Sequence, residues 1–266
     1  MAKSARVPIF GYDAGTSPLL ISFPHSGTYV PPDIAARLAP AALDLPDTDW
    51  FVPELYHFAR EAGASVIRAT HTRYVVDLNR PPDGKPLYPG QRETTVCPVE
   101  TFDGETLYKP GTAPAPGEVA ARLGMYWRPY HDQLAALTRE IAARHGRCIL
   151  WDAHSIHSVV PGLFEGRLPD LNVGTSSGKS CSPALLERVI APLKAQSRFS
   201  FVVDGRFKGG YITRHYGNPA ARIEAVQMEI AQCAYVAERR VPVYDGERAQ
   251  PLGALLQQVI ESLAEP

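Results

Sequence analysis

Short apolar runs alternate along the chain with longer amphipathic stretches. PLLISFP (18–24) has the pattern of a buried strand; Pro24 stops it and His25-Ser26-Gly27 follow at once, so the strand empties into a tight loop. ASVIRA (64–69), RYVVDLN (73–79), RCILWDAHS (147–155), LNV (171–173) and FSFVVD (199–204) read as strands from their β-branched and aromatic content. The AVQMEI run (225–230) has the same strand-like character. LPDTDWFVPELYHFAREAGA predicts a helix capped by Asp47 or Asp49, carrying Val52, Leu55, Tyr56 and Phe58 on its apolar side and ended by Gly63. EVAARLGMYWRPYHDQLAALTREIAARHG (118–146) keeps a helical period, with Pro129 marking a kink or a break. ALLERVIAPLKA and PLGALLQQVIESLA predict two more helices. Without a linker or an internal repeat, this β/α alternation predicts one α/β domain over residues 1–266, a mixed and mostly parallel sheet flanked by helices. The Pro- and Gly-rich stretch 81–117 is too long for a mere connection and predicts a lid or wall over a site.

Charge narrows the partners. With 27 basic against 28 acidic side chains and a pI near 6.7, the chain has no net field for gathering nucleic acid or anionic lipid. The opening MAKSARVPIFGYDAG has no long apolar run behind its basic residues, so it does not read as a secretory signal. Nor does any segment approach the ~20 apolar residues that span a bilayer. The expectation is a cytoplasmic protein with a small-molecule partner, its oligomeric state not legible. Cys97, Cys148, Cys181 and Cys233 are scattered without a CxxC, which argues against a zinc ribbon and a disulfide framework.

The segment LPDLNVGTSSGKSCSP (168–183) carries two near-motifs. As a phosphate loop it is one residue short, since Gly174 and Gly178 bracket only three residues, and Pro183 interrupts the helix start. As a nucleophile turn, Gly174-Thr175-Ser176-Ser177-Gly178 fits G-x-S-x-G, with Asp204 and His215 downstream in triad order. Against that, KSCSP delays the helix that a strained elbow needs directly behind its serine. A serine hydrolase on Ser176, Asp204 and His215 therefore stays open as an alternative, as does a non-catalytic amino-acid-binding protein.

Stronger chemistry stands at strand ends. His25 follows LLISFP, while Asp152 and His154 follow CILW; a parallel sheet gathers such ends along one edge. Two imidazoles with a carboxylate and an open position make a catalytic zinc site. Asp47 or Asp49 is positioned to give the carboxylate, and Asp152 to steer His154 from behind.

Taken together, PHSG, DTDW, RYVVDLNR, WDAHS, PGLFEGRLPDLNVGT, GRFKGGYITRHYG and VQMEI, from about residue 7 to about 245, resemble the N-formylglutamate amidohydrolase family and, within it, the branch that serves histidine degradation. The resemblance implies a zinc-dependent α/β hydrolase of the phosphorylase/hydrolase-like kind, distantly similar to zinc carboxypeptidases and aspartoacylase, that splits N-formyl-L-glutamate into formate and L-glutamate. The carboxypeptidase-like relatives place a glutamate three residues after the first histidine, where this chain has Thr28. The third ligand is then expected from DTDW, with Asp49 preferred over Asp47. By the same resemblance Glu229 in VQMEI is the acid/base carboxylate, with Glu224 as the weaker choice. A substrate with two carboxylates calls for guanidinium partners, for which Arg80 and Arg214 are the candidates, with Asn79 as amide donor. Gly210 and Tyr211 would approach the ligand, His215 would hold an oxyanion or a carboxylate, and Asp170, Asn172 and the 174–178 backbone would line the pocket. Zinc is expected, with cobalt or manganese equally compatible with these ligands.

Overall fold

The computed structural model describes residues 7–264, so the first six residues of the basic opening stretch lie outside the described residues. Seven strands form one sheet: β1 (Phe10–Asp13), β2 (Leu19–Phe23), β3 (Ser65–Ala69), β4 (Cys148–Ile156), β5 (Leu171–Gly174), β6 (Phe201–Val203) and β7 (Ile223–Ala231). Their order is β1-β3-β2-β4-β7-β5-β6. The central four, β3, β2, β4 and β7, run parallel; β1 lies antiparallel at one edge, and β5 joins antiparallel to β7 with β6 parallel to it. The expected α/β architecture with a mixed, mostly parallel sheet is what the chain builds.

Alternation along the central strands explains why both faces are covered. Leu19, Ile21 and Phe23 of β2, Ile149, Trp151 and Ala153 of β4, and Val226, Met228 and Ile230 of β7 point to one face and join one large core. The helices Pro183–Lys194 and Gly246–Ala264 pack on that face through residues such as Leu185, Val189, Leu256 and Ile260. On the other face Leu20, Leu150 and Ala225 meet Tyr130, Leu134 and Ile141 of the helix Arg128–His145. Within the large core the Trp151 indole N–H donates to the Tyr56 hydroxyl at 2.9 Å, with both residues buried. Tyr56→Phe should therefore cost about 1–3 kcal/mol, because it strands a buried donor; a lowered urea midpoint with unchanged slope is the readout.

Local chemistry sets the helix ends. The Ser182 hydroxyl caps its helix by accepting from the Leu185 N–H. Pro129 does not break the long 118–146 stretch: the helix runs on from Pro116–Arg122 through a π turn, Leu123–Trp127, into Arg128–His145. Two further expectations need correction. The segment 73–79 is no strand but a buried irregular loop, in which the Asp77 carboxylate accepts from the Asn79 N–H at 2.8 Å and so competes with any ladder. The single helix expected after DTDW is instead Val52–Leu55 followed by the 3-10 turn His57–Arg60, and neither Asp47 nor Asp49 caps it. Residues 81–115 contain only isolated bridges, yet bury Val96, Cys97, Phe102, Leu107 and Tyr108. Among the described residues no helix is long and apolar enough to cross a membrane.

Candidate metal and active site

The second face of the sheet changes character toward the carboxyl ends of its parallel strands. After Leu20, Leu150 and Ala225, the next inward positions are Ser22, Asp152 and Gln227, which lie side by side across β2, β4 and β7. One step further, His154 pairs with Glu229, which pairs in turn with Asn172 of β5. The same two-residue period that builds the core thus delivers a polar row at the edge of the sheet. His25 enters from the turn after β2, and its carbonyl accepts the Asp49 N–H at 3.1 Å, which ties the DTDW turn to this edge. Leu45 and Phe51, on either side of that turn, both adopt positive φ (51° and 59°), a costly backbone for such side chains and one held by its surroundings.

His25 Nδ1 and His154 Nδ1 lie 3.2 Å apart, and Asp49 Oδ2 is 2.9 Å from the second and 3.7 Å from the first. Four-coordinate zinc with ligands at 2.0–2.1 Å separates them by about 3.3 Å, so the three spacings bracket that value. The far nitrogens are occupied: His25 Nε2 meets Asp77 Oδ1 at 2.7 Å and His154 Nε2 meets Asp152 Oδ2 at 3.0 Å. Each carboxylate holds its imidazole with the proton on Nε2, leaving the Nδ1 lone pairs facing one another and Asp49. Three acceptors so disposed, all buried, repel unless positive charge sits between them. Without a cation a proton takes that place: burial opposes it, but Asp152 and Asp49 raise the His154 pKa well above the ordinary imidazole value. Burial, then the Arg73 guanidinium, push His25 the other way. Asp77 is held well below the usual carboxylate range, its burial outweighed by His25 and by Arg73, whose Nη2 donates to it at 2.8 Å. Glu229 is buried beside this group; burial pushes its carboxyl up to about 8, and one oxygen accepts from the Gln227 amide at 3.0 Å. These residues open into a cleft whose walls include Asn79, Arg80, Phe102, Arg206 and Gly210.

A family model described as N-formylglutamate amidohydrolase matches residues 17–236, most of the chain. This chain belongs to the N-formylglutamate amidohydrolase family. It is 48% identical over 255 residues to a Pseudomonas aeruginosa protein named N-formylglutamate deformylase, covering 96% of each chain. A protein of the same name from Pseudomonas putida is 46% identical over 255 residues, covering 96% of this chain and 95% of that one. Its fold is shared with the crystal structure of N-formylglutamate amidohydrolase from Ralstonia eutropha JMP134, at a TM-score of 0.81, 24% identity and 97% of both chains. A gene product of Agrobacterium tumefaciens shares it at a TM-score of 0.72 and 19% identity, over 97% and 96% of the two chains.

In this amidohydrolase-family chain the expected residues divide sharply. His25, Asp49, His154, Asp152, Asn79 and Glu229 come together. The Asn79 amide nitrogen lies 3.2 Å from Asp152 Oδ2 and 2.9 Å from His154 Nε2, and its oxygen accepts from the Ile212 N–H. Gly210 lines the cleft, and a Cβ there would stand 2.3–2.6 Å from the Asn79 amide group. Gly210→Ala should therefore push Asn79 off Asp152, to which its amide donates, and lower kcat/KM at least ~10-fold by disturbing the carboxylate that orients His154, checked by steady-state kinetics beside a melting curve. Arg80 faces the cleft while its Nε donates to the Thr94 carbonyl at 3.1 Å.

Other expectations are corrected. Arg214 spends its guanidinium on the carbonyls of Gly209 and Leu87 and stacks over Tyr88, so it anchors a loop and leaves the cleft wall to others. Tyr211 and His215 stack on each other at 4.8 Å, away from the cleft lining. Asp47 is no ligand: it accepts from the N–H of Phe102, in the cleft wall, at 3.0 Å, and its carbonyl accepts from Arg73 at 3.2 Å, so it supports the site from behind. Asp170 bonds Ser200, Asn172 bonds the carbonyls of Pro169 and Glu229, and the 174–178 turn stays outside the cleft lining. Asp204 turns both oxygens to Thr175, not to an imidazole, which removes the triad built on Ser176 and His215. Glu224 accepts from the Ser182 N–H at 2.7 Å, outside the cleft wall. Sequence reasoning passed over Arg73, Asp77 and Gln227. The last had a signal, since it precedes Glu229 by the same two-residue step that separates Asp152 from His154.

Proposed function

We propose that this chain is a metal-dependent amidohydrolase that converts N-formyl-L-glutamate to formate and L-glutamate, acting in the cytoplasm as the last step of a histidine degradation route. The observation that carries the reading is the meeting of His25, Asp49 and His154 beside Glu229, in a chain nearly half identical, end to end, to proteins named for that deformylation. Those three side chains would hold the cation, zinc first, with cobalt or manganese as alternatives suited to the same donors. Bound there, it would supply Lewis acidity to the formyl carbonyl and ease deprotonation of water. Glu229 then accepts the proton of the attacking water and returns it to the glutamate nitrogen as the C–N bond breaks. Gln227 fixes one Glu229 oxygen and frees the other for that transfer. Asp77 and Asp152 keep both imidazoles in the tautomer that presents Nδ1.

Purified protein should release formate from N-formyl-L-glutamate, lose that activity on chelation and regain it on adding zinc. Ser176→Ala should leave it unchanged. Activity that survives complete removal of metal ends the reading, as does the absence of formate from fully metal-loaded protein.

A further inference from the structure

Arg206 stands in the cleft wall with Tyr88, Leu163 and Phe207 as neighbours. Its Nε donates to the Leu163 carbonyl at 2.8 Å, and its guanidinium carbon lies 5.4 Å from the ring centroids of both Tyr88 and Phe207. The head group is thus aimed and held, yet its Nη1 is buried with no hydrogen-bond partner. Among the described residues no carboxylate lies within ion-pair distance of it. Glu93, an acidic residue that also lines the cleft, accepts with both oxygens from the N–H groups of Leu87 and Tyr88. The other cleft guanidiniums differ: Arg73 is paired with Asp77, Arg92 with Glu100, and Arg80 bonds Thr94. Arg206 is half-buried, and its buried, unpartnered Nη1 is a donor left to satisfy; a carboxylate matched to the guanidinium fork satisfies it.

We propose that Arg206 binds the side-chain carboxylate of the glutamyl substrate and makes the site selective for it. This rests on the functional reading above. The choice between the substrate's two carboxylates follows from the sheet. Arg206 comes from the loop after β6, three strand positions across the sheet from β4, the strand that carries His154. Arg80, by contrast, is next in sequence to Asn79, which touches His154. The side-chain carboxyl carbon of N-formylglutamate is two bonds farther from the formyl carbon than the α-carboxyl carbon, and it reaches toward the distant arginine. Tyr88, Leu163 and Phe207 give its methylenes an apolar wall.

The test compares kcat/KM of metal-loaded wild type, R206Q and R206K on N-formyl-L-glutamate and on N-formyl-L-glutamine, which has a neutral amide at that position. Wild type should prefer the acid. R206Q should lower kcat/KM for the acid by about 100-fold, the worth of a charge-assisted pair, so that the preference collapses. R206K should restore part of it. Product inhibition gives a second readout independent of turnover, with L-glutamate competing in wild type and weakened in both variants. An equal fall on both substrates, or an unchanged preference, overturns the assignment. Wild type inactive on both substrates overturns instead the functional reading beneath it.

Discussion

Glu229→Gln is expected to abolish most turnover while leaving cation binding and fold in place. Glu229 is not among the three converging donors, so the substitution keeps the ligand set, and the amide is close to isosteric with the acid. What it loses is the capacity to take up and release a proton. General acid–base catalysis contributes about 10²–10⁴-fold, so kcat should fall by that order while metal content, measured by atomic absorption, stays at the wild-type ratio. The buried carboxyl also leaves a signature in stability. In the metal-free folded protein burial raises Glu229 to about 8, from the ordinary glutamate value of about 4.5. Between those two values the unfolded chain has released the proton and the folded chain has not, so the folded state binds more protons and stability falls as pH rises. Metal-free wild type should lose stability relative to Glu229→Gln as pH rises across that window, on the order of 1 kcal/mol per pH unit. Parallel urea-unfolding curves at several pH values check this. Near wild-type turnover in the variant would move the proton-transfer role away from Glu229.

How much of this site was legible follows from what the side chains do locally. WDAHS and VQMEI each alternate an apolar residue with a polar one, and a polar residue at a core position of a central strand has to be satisfied or put to use. Position at a strand end singled out Asp152 and His154, the family resemblance singled out Glu229, and the shared alternation extends to Gln227. His25 was legible because a proline ends its strand and leaves the imidazole first in the loop. Arg73 and Asp77 were hidden by the β-branched run between them. The run reads as a strand, but the Asp77 carboxylate takes the Asn79 N–H and the segment turns in as a loop, so its charged ends meet His25. Arg214 and His215 misled in the opposite sense. Residue type and neighbourhood suited a carboxylate site, but nothing in the sequence reveals that the short helix Tyr211–Tyr216 directs them at Tyr88 and Tyr211 rather than at the cleft. Spacing along a strand is a geometric statement, whereas spacing along a loop is not.

His154→Ala should lose metal, turnover and metal-induced stabilisation together, and the third of these separates a ligand from a residue that merely packs. A cation that binds only the folded chain stabilises it by RT ln(1 + [L]/Kd), about 4 kcal/mol at a thousandfold excess over Kd. For a domain of this size each kcal/mol moves Tm by about 2–4 °C. Zinc added to chelated wild type should thus raise Tm by roughly 10 °C. His154→Ala removes one of three donors and the imidazole that Asp152 holds, so its melting curve should not respond to zinc. Asp152→Asn offers the graded comparison: His154 remains, but its far nitrogen faces an amide in place of the carboxylate. Loss of such an orienting partner weakens metal affinity by about 10–100-fold, so the zinc response should survive and shift to higher metal concentration. If zinc raises the Tm of His154→Ala as it does that of wild type, the cation binds elsewhere, and the facing Nδ1 atoms of His25 and His154 need another explanation.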